Sequence, residues 1–110
     1  MDLFAHLLEQ AGAICLRAMT MLDAVAIFDR LTIRVVVTDL LMPGGSGLEL
    51  LVALRERRPS VPVVAATAQL VPSNDVLIAR GFSAVVFKPI DPGELLAVVW
   101  HLARATRGPE

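Results

Sequence analysis

Residues 35–51 read VVVTDLLMPGGSGLELL: an apolar run, an aspartate, a loop rich in glycine and proline, and the first turns of a helical pattern. The apolar run over residues 33–37 is nearly all β-branched, which is typical of a central strand that is covered on both faces. Ser46 and Glu49 form a capping box that predicts a helix after the loop. The stretch therefore predicts a buried strand that ends near Asp39, a tight turn, and a helix that packs back on the strand.

Similar segments alternate on both sides of this stretch. Apolar runs bounded by turn formers predict four strands, at residues 14–18, 33–37, 61–66 and 84–87. Windows with apolar residues three and four positions apart predict five helices, over residues 4–11, 24–31, 46–54, 76–80 and 91–102. Alternation of this kind predicts an α/β fold with a central parallel sheet.

The length and hydrophobicity of the chain predict a single domain. With 110 residues, 55% of them apolar, the chain can bury one core, and we expect the domain at residues 1–105 and a frayed tail at residues 106–110. No apolar run approaches the ~20 residues that a membrane-spanning helix needs. The N-terminus shows no basic segment ahead of an apolar stretch, so we expect no membrane contact and a cytoplasmic location.

The balance of charge argues against direct nucleic-acid binding. Ten basic and eleven acidic residues leave a net charge of −1, which offers no electrostatic footprint for a phosphate backbone. The basic cluster of Arg55, Arg57 and Arg58 ends a helical pattern, and we interpret it as a solvated helix terminus.

A polar residue of a different kind follows each of three consecutive apolar strands: Asp39, Thr67 and Lys88. Each alone is more often an ordinary strand-end residue, but the carboxyl ends of parallel strands line one crevice, where such folds bind ligands. A carboxylate that attacks phosphorus needs a cation beside it, and a hydroxyl can donate to a phosphoryl oxygen. Together the three residues predict a site for phosphoryl chemistry.

Three segments, VVVTDLLMPGGSGLELL, VPVVAATA at residues 61–68 and GFSAVVFKP at residues 81–89, resemble the receiver domain of response regulators in residues and order. The resemblance implies a flavodoxin-like, three-layer fold and a non-enzymatic role in two-component signalling. It also implies that Asp39 accepts a phosphoryl group from a histidine kinase or phosphotransfer protein. Thr67 would then bind a phosphoryl oxygen, and Lys88 would pair with the phosphate charge.

The chain also departs from the family pattern. Receiver domains begin with a strand that ends in an acidic pair, whereas this chain is expected to begin at the following helix. Mg²⁺, the cofactor that the resemblance implies, would keep only the Asp39 carboxylate and the Leu41 backbone carbonyl, so we expect weak binding. The absent strand would leave sheet edges unpaired, so we expect either self-association, such as a homodimer, or a strand that is missing through truncation. Val85 fills the position where the family commonly has an aromatic switch residue.

Three functions stay open from the sequence. The first is a phospho-accepting receiver, and the second is a pseudo-receiver, a protein-interaction module without efficient phosphorylation, which the missing acidic pair favours. The third is an aspartate-nucleophile phosphatase, which requires a second acid two residues after the first. Leu41 fills that position, which argues against the enzyme.

Overall fold

A computed structural model of the chain describes residues 20–31, 33–42, 45–68 and 73–105. Its helices are α1 (Met21–Arg30), α2 (Gly47–Arg57), α3 (Asn74–Arg80) and α4 (Pro92–Ala105). Its strands are β1 (Val36–Asp39), β2 (Leu41–Met42), β3 (Gly45–Ser46), β4 (Val63–Thr67) and β5 (Ala84–Phe87). In the described ranges no helix is both long and apolar enough to cross a bilayer.

The main sheet is parallel and contains β1, β4 and β5 in that order. Helix α2 connects β1 to β4, and α3 connects β4 to β5, as expected for repeated strand–helix–strand units. Strands β2 and β3 form a separate two-residue antiparallel pair inside the loop after β1. The sequence predicted a tight turn at this loop but not the short pair of strands.

The α/β fold with a central parallel sheet is confirmed, but the expected count of strands and helices is not. The described part of the chain has three strands in the parallel sheet and four helices, instead of four strands and five helices. The additional strand was predicted at residues 14–18 and the additional helix at residues 4–11, and both ranges lie outside the described residues.

The predicted strands at residues 33–37 and 61–66 are shifted toward the C-terminus in the structure, to β1 and β4. The shift arises because strand limits are set by pairing between strands, and the ladder starts where the Val36 amide donates to the Pro62 carbonyl (3.0 Å). Asp39 and Thr67 are consequently the last residues of their strands, and each is fixed by the ladder itself.

Two apolar clusters lie on opposite faces of the sheet. Alternation along β4 sends Val63 and Ala65 into a cluster with residues of α1, α2 and α3, and Val64 and Ala66 into a cluster with residues of α4. Every residue of β4 is buried, as expected for a central strand covered on both faces. The described chain therefore has three layers, with the sheet between α1–α3 and α4.

The helix starts agree with the predicted caps. The Ser46 hydroxyl accepts from the Glu49 amide (3.2 Å), and the Asp91 carboxylate accepts from the Gly93 amide (2.9 Å). Pro92 occupies the first position of α4, where its missing N–H leaves no hydrogen bond unmade. Ser46 thereby fixes the start of α2 and the end of the loop that follows β1.

The basic cluster at the end of α2 is not uniformly solvated, and this interpretation was wrong for Arg55. The half-buried Arg55 guanidinium donates to the carbonyls of Val61, Pro59 (3.1 Å) and Gly81 (2.6 Å), and burial lowers its pKa from the ordinary value. Arg55 therefore joins the end of α2 to the start of β4 and the end of α3.

Candidate functional site

Asp39 and Lys88 form an ion pair at the carboxyl edge of the sheet. Lys88 Nζ lies 2.6 Å from Asp39 Oδ1, and the two side chains are 41% and 42% exposed. Oδ1 itself is shielded from solvent, and the Lys88 ammonium contacts it. The exposed surface of the Asp39 side chain therefore lies on its other atoms, and Oδ2 is the oxygen that a ligand can approach.

The register of the sheet explains why residues 49 positions apart in sequence meet. Asp39 pairs with Ala66 on β4, and Ala66 in turn pairs with Val86 on β5. Paired residues of parallel strands share a face, and Lys88 lies two residues after Val86, so the Asp39 and Lys88 side chains leave the sheet on the same face. Two strand spacings of ~4.8 Å separate them, and the long lysine side chain crosses the end of β4.

Thr67 lies at the same carboxyl edge of the sheet, as the sequence suggested. It ends β4, its carbonyl accepts from the Lys88 amide (2.9 Å), and it is 4% exposed. Thr67 follows Ala66, the register partner of Asp39, so alternation starts its Cα–Cβ bond on the face of Val63 and Ala65. The structure thus brings two of the three predicted side chains into contact and the third to the same edge.

The backbone carbonyl of Asp39 is held by residues that the sequence analysis did not assign to the site. Thr38 Oγ1 donates to it over 2.9 Å, and Thr38 is buried. A Cβ on Gly47 would lie 2.6 Å from the same oxygen, and the Gly47 amide donates to the Leu40 carbonyl (2.8 Å). Gly47 was expected only to permit a turn, but the close approach requires glycine there.

The described residues do not supply a complete site for a divalent cation. They contain no group of three or more histidine, cysteine, aspartate and glutamate side chains that could hold a metal ion. Leu41, the expected carbonyl ligand, lies in β2 and pairs with Ser46. A hard cation prefers about six oxygen ligands, and one oxygen of the Asp39 carboxylate already contacts Lys88.

A three-layer fold with a parallel sheet and an Asp–Lys pair at its carboxyl edge defines an α/β domain of the doubly wound class. Within that class, the chain belongs to the response regulator receiver domain family, whose model matches residues 1–100. Receiver domains are signalling modules of two-component systems, and they generally bind Mg²⁺ at an acidic pocket. The resemblance found from the sequence is therefore confirmed.

Similar proteins support the same family. A protein of Leptolyngbya boryana, described as an uncharacterized 14.6 kDa protein in the sodA1 3′ region, is 32% identical over 101 residues, which cover 89% of this chain and 77% of the relative. The crystal structure of the NtrX receiver domain from Brucella abortus has a TM-score of 0.88 at 25% identity and covers 96% of this chain and 90% of that one. The chemotaxis response regulator CheY4 of Vibrio cholerae, 24% identical, has a TM-score of 0.79 over 90% of this chain and 85% of its own, which shows the shared fold.

Proposed function

We propose that this chain is a phospho-accepting receiver domain, spanning residues 1–105 with a tail at residues 106–110, which acts in a cytoplasmic phosphorelay. Asp39 would take a phosphoryl group from the phosphohistidine of a histidine kinase or phosphotransfer protein. The observation that carries the proposal is the 2.6 Å contact between Lys88 Nζ and a part-exposed Asp39 carboxylate at the carboxyl edge of the sheet. Family membership supports the same role.

The proposed reaction is a transfer between two side chains. An Asp39 carboxylate oxygen forms a bond to phosphorus while the bond from phosphorus to the donor histidine nitrogen breaks, and that nitrogen keeps the electron pair. Negative charge on the equatorial phosphoryl oxygens must be neutralised, and the Lys88 ammonium is the cation beside them. Since Lys88 contacts Oδ1, Oδ2 is the oxygen that attacks phosphorus.

Thr67 would act after the phosphoryl group has been transferred to Asp39. Thr67 ends β4 at the same edge as Asp39, and a rotation of its side chain would bring its hydroxyl toward a phosphoryl oxygen on Asp39. Such a movement couples the state of Asp39 to the loop that follows β4. We propose that Thr67 binds phosphate only after transfer, whereas Lys88 is in place before it.

The proposed transfer does not depend on Mg²⁺, because the described side chains do not form a cation site. Binding through the Asp39 carboxylate and the Leu41 carbonyl alone would be weak. This misfit is also the observation that favours a second function, a pseudo-receiver that binds a protein partner without efficient phosphorylation. For either function we propose a homodimer and no direct nucleic-acid contact.

Incubation with acetyl phosphate or a phosphorylated histidine donor, followed by intact-mass measurement, distinguishes the two functions. The native chain is expected to gain the mass of one phosphoryl group, and the Asp39→Asn variant none. A parallel incubation with a metal chelator tests the expectation that Mg²⁺ binds weakly. Phosphoryl uptake by the native chain should persist in the chelator. If the native chain gains no mass but still binds its kinase or phosphotransfer partner, the pseudo-receiver is the correct function.

A further inference from the structure

The carbonyl of Asp39 faces away from β4. In a parallel pair, the residues that bond to a given neighbour alternate along the strand. The amides of Val36 and Leu40 donate to carbonyls of the β4 segment, at Pro62 (3.0 Å) and Ala66 (3.3 Å). Asp39 lies out of phase with them, so its N–H and C=O point toward the opposite edge of β1. This carbonyl therefore needs a donor other than β4.

The Thr38 hydroxyl supplies that donor. Thr38 Oγ1 lies 2.9 Å from the Asp39 carbonyl oxygen, and the residue is 4% exposed, so water does not compete freely for the bond. Gly47 also approaches the same peptide so closely that a side chain at Gly47 would have no room. A hydrogen bond and a steric limit thus restrain one peptide unit, the one that joins Asp39 to Leu40.

The orientation of this peptide unit constrains the direction in which the Cα–Cβ bond of Asp39 leaves the strand, from which the carboxylate reaches Lys88. Rotation about the Cα–C bond of Asp39 moves its carbonyl relative to its Cβ, so a fixed carbonyl fixes the direction of the side chain within the strand. Thr38 precedes Asp39, and alternation sends its side chain to the opposite face of the sheet, so it does not approach the carboxylate. We propose that Thr38 is a positioning residue that aims Asp39 at Lys88 through the Asp39 carbonyl.

The kinetic test of this inference rests on the proposed phosphorylation of Asp39. Thr38→Val keeps the shape of the side chain and removes the hydroxyl, and we expect phosphorylation by acetyl phosphate to slow about tenfold, a typical result of small misplacement. Thr38→Ser keeps the hydroxyl and should stay within about twofold of the native rate. Thr20→Val is the matched control, because it removes the hydroxyl that caps α1, away from the site. It should lower Tm without changing the rate.

A second measurement does not depend on phosphorylation. Lys88 is the only lysine in the chain, so labelling with [¹³Cε]lysine gives one NMR signal from the side chain that contacts Asp39. The chemical shift of this signal in the Asp39→Asn variant marks the state without the ion pair. In Thr38→Val the signal should move toward that position, whereas in Thr38→Ser and Thr20→Val it should stay at the native position.

The inference is overturned if the Lys88 signal of Thr38→Val coincides with the native signal, or if Thr20→Val slows phosphorylation as much as Thr38→Val does. A native chain that gains no phosphate would refute the proposed function alone. The NMR comparison would still decide whether Thr38 positions Asp39.

Discussion

At the scale of single residues, Lys88 should matter far more for reactivity than for stability. Its pair with Asp39 is about two-fifths exposed, so the contact contributes at most about 1 kcal/mol to folding. Lys88→Met removes the cation that neutralises the phosphoryl oxygens, and we expect phosphorylation to slow by about 100-fold or more. Initial rates and thermal melts of the same samples check both expectations. A fall in Tm large enough to explain the lost rate would contradict this role.

Gly47 is a second residue at which the effect of a substitution can be predicted, in this case from one distance. A Cβ at this position would lie 2.6 Å from the Asp39 carbonyl oxygen, so Gly47→Ala must shift backbone. We expect a loss of about 1–3 kcal/mol in the free energy of unfolding, measured by urea denaturation, together with slower phosphorylation.

Gly93→Ala is the matched control for this substitution. Its Cβ would meet only Asp91 Oδ1, at an ordinary 3.5 Å, so this substitution inside a helix should not lower the free energy of unfolding. Equal losses in the two variants would show that the close approach at Gly47 is not what makes alanine unfavourable there.

At the scale of elements, Arg55 and Arg57 offer a comparison within one helix. Arg55 donates to three loop carbonyls from a half-buried position, whereas Arg57 pairs with Asp29 on the surface (2.7 Å, 37% and 48% exposed). Arg55→Met leaves partly buried carbonyls without a donor and should cost about 1–3 kcal/mol. Arg57→Met should cost less than about 1 kcal/mol. Urea denaturation of the two variants measures both, and the reverse order would contradict the role assigned to Arg55.

The elements also show why predicted strand limits were inexact. Ile33 and Val35 are β-branched and apolar like the valines of β1, yet the ladder begins at Val36 because that is where the β4 segment offers partners. Composition is a local property, whereas a strand is defined by a neighbour that comes later in the chain. The helix starts, by contrast, were predicted well because Ser46 and Asp91 bond to amides two or three residues away.

At the scale of the whole molecule, the proposed homodimer can be tested with the one tryptophan of the chain. Trp100 lies on α4 and is 65% exposed. A dimer that uses α4 would bury this ring, so the fluorescence emission should shift to shorter wavelength as the protein concentration rises. Sedimentation equilibrium over the same range should show the mass increase from monomer to dimer. A monomer mass at every concentration would contradict the proposal.

If the mass doubles while Trp100 emission stays constant, the dimer forms elsewhere. Trp100→Ala is then expected to leave the dimerisation constant unchanged. If α4 forms the contact, the same substitution should weaken the dimer by at least about tenfold, since exposed aromatic residues commonly dominate such interfaces.

The sequence by itself determined the alternation of strands and helices, the caps of α2 and α4, and the identity of Asp39 and Lys88 as a candidate anion and its counter-ion. These follow from short-range periodicity and from polar residues at strand ends, both of which are local in the chain. Only the tertiary structure decided that Asp39 and Lys88 touch, and that Thr38 and Gly47 lie against the Asp39 carbonyl. The reason is that faces and registers depend on how distant strands pair, and a shift of one residue in that pairing would send the Asp39 and Lys88 side chains to opposite faces. The close approach of Gly47 depends on how the loop after β1 folds back on the strand.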